Sequence, residues 1–196
     1  MLQIGLTGGI GAGKSTVSSI LSELGCLVYN SDQRAKWLMK NNPDLKKAIV
    51  NWLGEESYLD NNLNRSFISN VVFKDNIMLN KLNGLVHPYV AKDYQSFISS
   101  NHNTDIVVKE AAILIESGAY KKMDLIILVI SNEQNRIQRV IKRDNSDFKK
   151  VHQRINQQMK DRDKSKYADF VIENNGTNIE LASNVKKVLE QIRLKK

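Results

Sequence analysis

A single cysteine, Cys26, occurs in the 196 residues. One thiol excludes an intrachain disulfide and goes with an intracellular protein. Lying between Gly25 and Leu27-Val28, it reads as a small buried apolar side chain. Apolar runs are short, none approaching the roughly 18 residues that span a bilayer. The N-terminal residues carry no charged region ahead of an apolar one. The expectation is therefore a cytoplasmic protein with neither leader nor membrane segment. Internal repeats and low-complexity linkers are missing too, which leaves one globular domain over 1–196. Nor do aromatics interleave with basic residues to make a stacking platform for single-stranded nucleic acid, and the basic residues are spread along the chain.

What is present suits a small α/β protein. Hydrophobic residues make up 41%, enough for a sizeable core. The net charge of +8, from 29 Lys+Arg against 21 Asp+Glu, favours anionic partners such as nucleotides and phosphorylated metabolites. "LQIGLT" (Leu2–Thr7) reads as a buried strand ended by glycines. In "KSTVSSILSELG" (Lys14–Gly25), Val17, Ile20, Leu21 and Leu24 fall at helical spacing and Gly25 is a stop. "CLVY" (Cys26–Tyr29) is a second strand. The middle, from about Asp32 to Asn103, reads as mostly helical, with "DQRAKWLM", "PDLKKAIVNWLG" and "NVVFKDNIMLNKLNGLVHPYVAKDYQSFI". Strand signals return at "DIVVKEA" and "DLIILVI", and again within "ADFVIENNG" ahead of a closing helix, "NIELASNVKKVLEQIRL". Strands alternating with helices predict a parallel sheet.

The strongest motif joins the first strand to the first helix. Gly8, Gly13, Lys14 and Ser15 satisfy G-x-x-x-x-G-K-[ST] in its required strand–loop–helix context. Backbone N–H groups can surround phosphate charge only if the chain approaches closely and adopts unusual φ/ψ, which glycine permits. The helix N-terminus adds positive potential. Lys14 supplies a point charge across the β- and γ-phosphates, Ser15 an oxygen for Mg²⁺, and Thr16 a hydroxyl near the α-phosphate. The motif implies a nucleoside triphosphate without deciding what receives a phosphoryl group.

Three acidic residues follow strand ends, where ligands meet in such sheets: Asp32 after "CLVYNS", Glu110 after "DIVVK" and Glu116 after "AILI". Asp32 suits an acceptor hydroxyl that needs orientation and proton removal. Equally, it suits the N-cap of the following helix. Glu110 suits a Mg²⁺-bound water, or a surface ion pair with a neighbouring lysine. Arg139 and Arg143, four residues apart, share a helix face if their segment is helical. There they could stabilise a transferring phosphoryl group or line a solvated basic helix. His87, in "VHPY", reads as a turn residue or a donor to a substrate phosphate.

Together, "GLTGGIGAGKSTV", "NSDQRA", "LNGLVHP", "ILIESGAYKK", "QRVIKRD", "RINQQ" and "ADFVIENNG" give the chain its family likeness. In their order and spacing it resembles the dephospho-coenzyme A kinases nearly end to end. The resemblance implies a P-loop NTPase-type α/β fold: a five-stranded parallel sheet flanked by helices, with a helical substrate-binding insertion and a lid. The nucleotide-binding core would be about 1–31, 104–143 and 167–196, the helical part about 32–103 and the lid about 144–166. It implies phosphoryl transfer from ATP, with Mg²⁺, to the ribose 3′-hydroxyl of dephospho-CoA. Gly8 and the run Gly11, Ala12, Gly13, Lys14, Ser15 and Thr16 match the ATP-binding residues, and Asp32 the catalytic base. Arg139 and Arg143 match the lid region, and Arg154 and Gln158 an R-x-x-x-Q pattern. Asp32, His87, Glu116 and Arg154 stand as substrate-binding positions, and Ser15 and Glu110 as the metal positions. Two departures stand out: Asn30-Ser31-Asp32 where the family has D-A-D, and Ala112-Ile113-Leu114-Ile115-Glu116 where it has P-L-L-x-E. Another small-molecule or nucleoside monophosphate kinase, and a basic ATP-switched nucleic-acid binder, are the alternatives. An acceptor panel separates the first, and salt-dependent retention on single strands the second.

Overall fold

The structure, a computed structural model, describes residues 1–72 and 75–194. Phe73 and Lys74, inside the predicted helical run "NVVFKDNIMLNKL", lie outside the described residues. In chain order the elements are β1 (Leu2–Thr7), α1 (Lys14–Glu23), β2 (Leu27–Asn30), α2 (Ser31–Asn41), α3 (Pro43–Leu53), β3 (Tyr58–Leu59), β4 (Asn62–Leu63) and α4 (Arg65–Val72). They continue with α5 (Asn76–Ser100), β5 (Ile106–Glu110), β6 (Leu125–Ile130), α6 (Glu133–Asp144), α7 (Phe148–Asn156), α8 (Asp161–Lys164), β7 (Phe170–Glu173) and α9 (Asn178–Leu194). The chain divides into two compact units, residues 1–30 with 102–196, and residues 31–101. No helix among the described residues is long and apolar enough to cross a membrane.

The first unit is built on a five-stranded sheet in the order β2-β5-β1-β6-β7, every pairing parallel. Covered on both faces, its central strands carry continuous apolar sequence rather than an alternation: all five β5 residues and the inner four of β6 are buried. Val17 and Leu21 of α1 and Val185, Leu189 and Ile192 of α9 pack with Ile4, Leu6, Val108 and Ile127 in one core. A smaller cluster of Ala111, Leu114 and Ile126 forms after β5. The register sets Leu6 beside Glu110 and Asn30 beside the same Glu110, so the glycine loop and Glu110 lie at the same end of neighbouring strands. In the segment expected as a lid, α7 packs on α6, with Val151 fully buried against Ile137 and Val140.

The second unit contains α2 to α5 and one small hairpin. Asn42 caps α3 by accepting from the Leu45 N–H at 2.9 Å, ahead of Pro43 at the first turn. Asp75 caps α5 by accepting from the Ile77 N–H at 2.8 Å. The β3–β4 hairpin was not read from the sequence, because two-residue strands show no alternation; its turn carries Asp60 and Asn61 at φ 45° and 62°, as a type I′ turn requires. Arg34 of α2 forks onto Asp93 of α5 at 2.8 and 2.6 Å, a bidentate pair that fixes one helix against the other.

Candidate active site

Residues 8–13 link β1 to α1; the carbonyls of Gly8 to Ala12 find side-chain donors, and that of Gly13 accepts from the Thr16 and Val17 N–H groups. The carbonyls of Gly8 and Gly9 accept from Lys14 Nζ at 2.9 and 3.4 Å. The Ile10 carbonyl accepts from Arg136 Nε at 2.9 Å, Gly11 from Arg139 Nη1 at 3.3 Å and Ala12 from Asn174 Nδ2 at 2.8 Å. A planar trans peptide sets each N–H opposite the preceding C=O. Fastening the Ile10, Gly11 and Ala12 carbonyls to side chains outside the loop therefore turns the N–H groups that follow them to the other side, the polarity an anion cradle needs. The first turn of α1 adds its own N–H groups. Glycine is required at two positions in particular. Gly11 has φ 78° and Gly13 φ 101°; a Cβ at the first would strike the Arg136 backbone, and one at the second the Asn174 amide.

The arginines divide into two groups. Arg136 is buried, and its Nη1 also pairs with Asp161 Oδ2 at 3.1 Å. Arg139 donates to Ser131 Oγ at 3.1 Å and to the Asn174 carbonyl at 2.9 Å as well as to the loop. These two brace the loop from beneath. Arg143, by contrast, forks onto Asp144 at 2.7 and 2.9 Å, and Arg154 of α7 reaches the same carboxylate at 3.4 Å. The hydrogen bond to Asp144, and secondarily its charge, raise the Arg143 guanidinium above its ordinary pKa. Arg139 and Arg143 are both on α6 as their spacing requires, but only Arg143 stands with Arg154.

Of the carboxylates, Glu110 is buried and accepts from Ser18 Oγ at 2.7 Å and Asn30 Nδ2 at 2.8 Å; a surface ion pair with a lysine is not what holds it. Glu116 pairs with Lys164 Nζ at 2.9 Å, the lysine being fully buried, and accepts from the Met159 N–H at 3.2 Å. Asp32 is exposed and lies within the first turn of α2, which begins at Ser31. It is therefore not the N-cap that its residue type allowed; its charge faces the positive end of the helix from inside it. His87 sits half-buried in α5, one residue before Pro88. Among the described residues no three His, Cys, Asp or Glu side chains cluster as a metal cage. Ser15, exposed at the start of α1, and the hydrogen-bonded Glu110 fit instead a hard cation held mostly by phosphate and water oxygens, as Mg²⁺ is.

This loop lies at the end of the central strand, and comparison with known proteins gives the class of the chain. A family model for dephospho-CoA kinase matches residues 2–180. The chain belongs to the dephospho-CoA kinase family. The dephospho-CoA kinase of Bacteroides fragilis is 37% identical over 175 residues, 89% of this chain and 85% of that protein. That of Porphyromonas gingivalis is 36% identical over 197 residues, covering 100% and 96%. Among solved structures, a protein from Thermus thermophilus superposes with a TM-score of 0.83 at 28% identity, covering 99% of this chain and 97% of that one. A shikimate kinase from Acinetobacter baumannii shares the fold, with a TM-score of 0.55 at 19% identity over 100% and 95%. The parallel five-stranded sheet flanked by helices is thus that of P-loop kinases, and membership in this kinase family implies use of a nucleotide.

Three residues that hold the loop carry no assignment from the sequence. Arg136 was one basic residue in a polar stretch, Asn174 part of a strand-end motif, and Gln158 one half of a pattern. Each touches the loop across a wide sequence gap: 126 residues for Arg136 to Ile10, 148 for Gln158 to Ile10 and 162 for Asn174 to Ala12. The one local signal was the succession of strands at Leu2–Thr7, Leu125–Ile130 and Phe170–Glu173, whose parallel pairing brings the ends of β1, β6 and β7 together.

Proposed function

We propose that this chain transfers the terminal phosphoryl group of ATP to the ribose 3′-hydroxyl of dephospho-CoA, giving coenzyme A and ADP, the last step of coenzyme A biosynthesis. The observation that carries the proposal is the loop whose Ile10, Gly11 and Ala12 carbonyls are held by side chains from outside it, with Lys14 on the Gly8 and Gly9 carbonyls, in a chain of this family. The backbone N–H groups of Gly11 to Thr16 bind the phosphates, and Lys14 moves its ammonium from loop carbonyls to the β/γ bridge. When Mg²⁺ is bound, it neutralises charge on the β- and γ-phosphates; Ser15, and Glu110 through water, would hold it. Asp32 orients the acceptor hydroxyl and takes its proton as the O3′–P bond forms and the bond from phosphorus to the bridging oxygen breaks. Arg143 and Arg154 exchange the Asp144 carboxylate for phosphoryl oxygens, and Arg139 keeps the loop in shape from below. His87 contributes a donor to the acceptor's phosphates. The exposure of Asp32 beyond a strand end supports its role.

The test is an ADP-release assay coupled to product identification, with ATP, Mg²⁺ and an acceptor panel of dephospho-CoA, nucleoside monophosphates and shikimate. Turnover confined to dephospho-CoA is expected. A preference for any other acceptor would move the chain to that activity.

A further inference from the structure

We propose that Gln158 is a positioning residue of the phosphate loop, holding the Ile10 peptide so that the loop's remaining N–H groups stay converged on the nucleotide phosphates. The inference rests on the nucleotide-binding role proposed above and deepens it. Gln158 Oε1 accepts the Ile10 N–H at 2.7 Å, shorter than any of the bonds that hold the loop carbonyls. Ile10 is thus the residue whose amide hydrogen is turned away from the cradle, and its carbonyl is held by Arg136 at 2.9 Å. Both of its polar groups are taken by side chains from outside the loop.

The chemistry at stake is a peptide flip. Ile10 lies between Gly9 and Gly11, and glycines on both sides make rotation of the flanking peptide planes cheap. Rotating the Gly9–Ile10 peptide would carry the Gly9 carbonyl, which lies opposite the Ile10 N–H in a trans peptide, off the Ala12 N–H that it accepts at 3.1 Å and off Lys14 Nζ at 3.4 Å. The turn over residues 9–12, which shapes the N–H cradle, would then lose its closing bond. Gln158 blocks this rotation by engaging the one hydrogen that would have to move. It follows directly on α7, which carries Arg154, and the chain beyond it is anchored again where Asp161 holds Arg136 at 3.1 Å and the fully buried Lys164 holds Glu116 at 2.9 Å. The end of α7 is therefore tied to the same peptide that must keep its orientation for ATP to bind.

The experiment is calorimetric titration of the whole protein with ATP, for the wild type, Gln158→Met and Gln158→Asn, with dephospho-CoA titrations and thermal melting alongside. Methionine keeps length without an acceptor; asparagine keeps the amide but falls one methylene short. Both variants should bind ATP about tenfold more weakly, because ATP must then re-order the loop at a cost on the scale of the lost hydrogen bond, with dephospho-CoA affinity near wild type and a melting temperature lowered by no more than about 2–4 °C. Wild-type ATP affinity in either variant would overturn the proposal. So would equal losses for both ligands with a lowered melting temperature, which would mark a general packing contact, and so would failure of both variants to fold. Because the ATP titration contains no acceptor, an error in the acceptor assignment leaves this result intact, and the reverse also holds.

Discussion

Replacing Glu116 by glutamine separates two roles that its position allows. Sequence pattern put Glu116 among the residues that bind the acceptor; in the structure its carboxylate lies 2.9 Å from Lys164 Nζ, with the lysine side chain 0% and the glutamate 23% exposed. The same ammonium donates to the Ala112 carbonyl at 3.1 Å. Glu116→Gln keeps the shape and an acceptor oxygen but leaves a buried cation without a counter-charge. Breaking a buried pair from one side costs ~3–5 kcal/mol, and the retained amide oxygen puts this case at the low end, ~3 kcal/mol. For a chain of this length, each kcal/mol lowers the melting temperature by about 2–4 °C, so a fall of about 6–12 °C is expected. Lys164→Met should do less harm, on the order of 1 kcal/mol, because it removes the buried charge and leaves a carboxylate that water reaches. Circular-dichroism melts of both variants, with steady-state kinetics in dephospho-CoA, provide the measurement. A Glu116→Gln protein that melts like the wild type while its KM for dephospho-CoA rises would refute the anchoring argument and return Glu116 to the acceptor site. A Lys164→Met protein less stable than Glu116→Gln would refute the energetic one.

Lys14→Ala should lower kcat by several orders of magnitude and leave the melting temperature nearly unchanged, since the ammonium acts on phosphate charge; near-normal turnover would exclude the assigned loop function. Asp32→Asn should lower kcat on the order of 10²–10⁴-fold at unchanged ATP affinity, and a variant with almost full kcat would remove Asp32 as the base. Burial, and secondarily the like charge of Lys122, lower the Lys109 ammonium to about 8. An unfolded lysine keeps its proton to about 10.4, so across that interval the unfolded chain holds more protons and stability rises with pH; below it the penalty is fully present. Lys109→Met should therefore melt higher than the wild type at pH 7, with the gap narrowing from pH 8 to 10. A gap constant over that range counts against the assignment.

The nucleotide half of the site was legible because its signals are local. A strand, a glycine loop and an amphipathic helix follow one another within Leu2–Gly25, and Lys14 is fixed by its neighbours in sequence. Strand limits moved by about one residue for reasons that only pairing supplies. Asp124, for example, precedes β6 and spends its side chain accepting the Gln3 N–H at 2.7 Å. Asn30-Ser31-Asp32 offers three good cap residues in a row, and nothing in their composition says that the helix begins at the middle one. The outward bonding of the loop was illegible for a different reason. Asn174, Gln158 and Arg136 carry no local mark of their task, because their partners lie more than a hundred residues upstream. Lys164 gave no sign of being the buried partner of Glu116, since a lysine in "DRDKSKY" reads as solvated.

The strand order β2-β5-β1-β6-β7 also sets a timetable for synthesis. On the ribosome β1 emerges long before either of its neighbours, because β5 starts at Ile106 and β6 at Leu125. At about 5–20 residues per second the wait is on the order of ten seconds. During it, β1 and β2 are apolar segments with open edges, the kind of nascent chain that recruits holding chaperones. The residues from Ser31 to Asn101 can meanwhile complete their own contacts, since even the Arg34–Asp93 pair, 59 residues apart, is made before β5 emerges. The glycine loop is the last to mature: its sequence is complete by Ser15, while the amide that fastens the Ala12 carbonyl arrives only with Asn174.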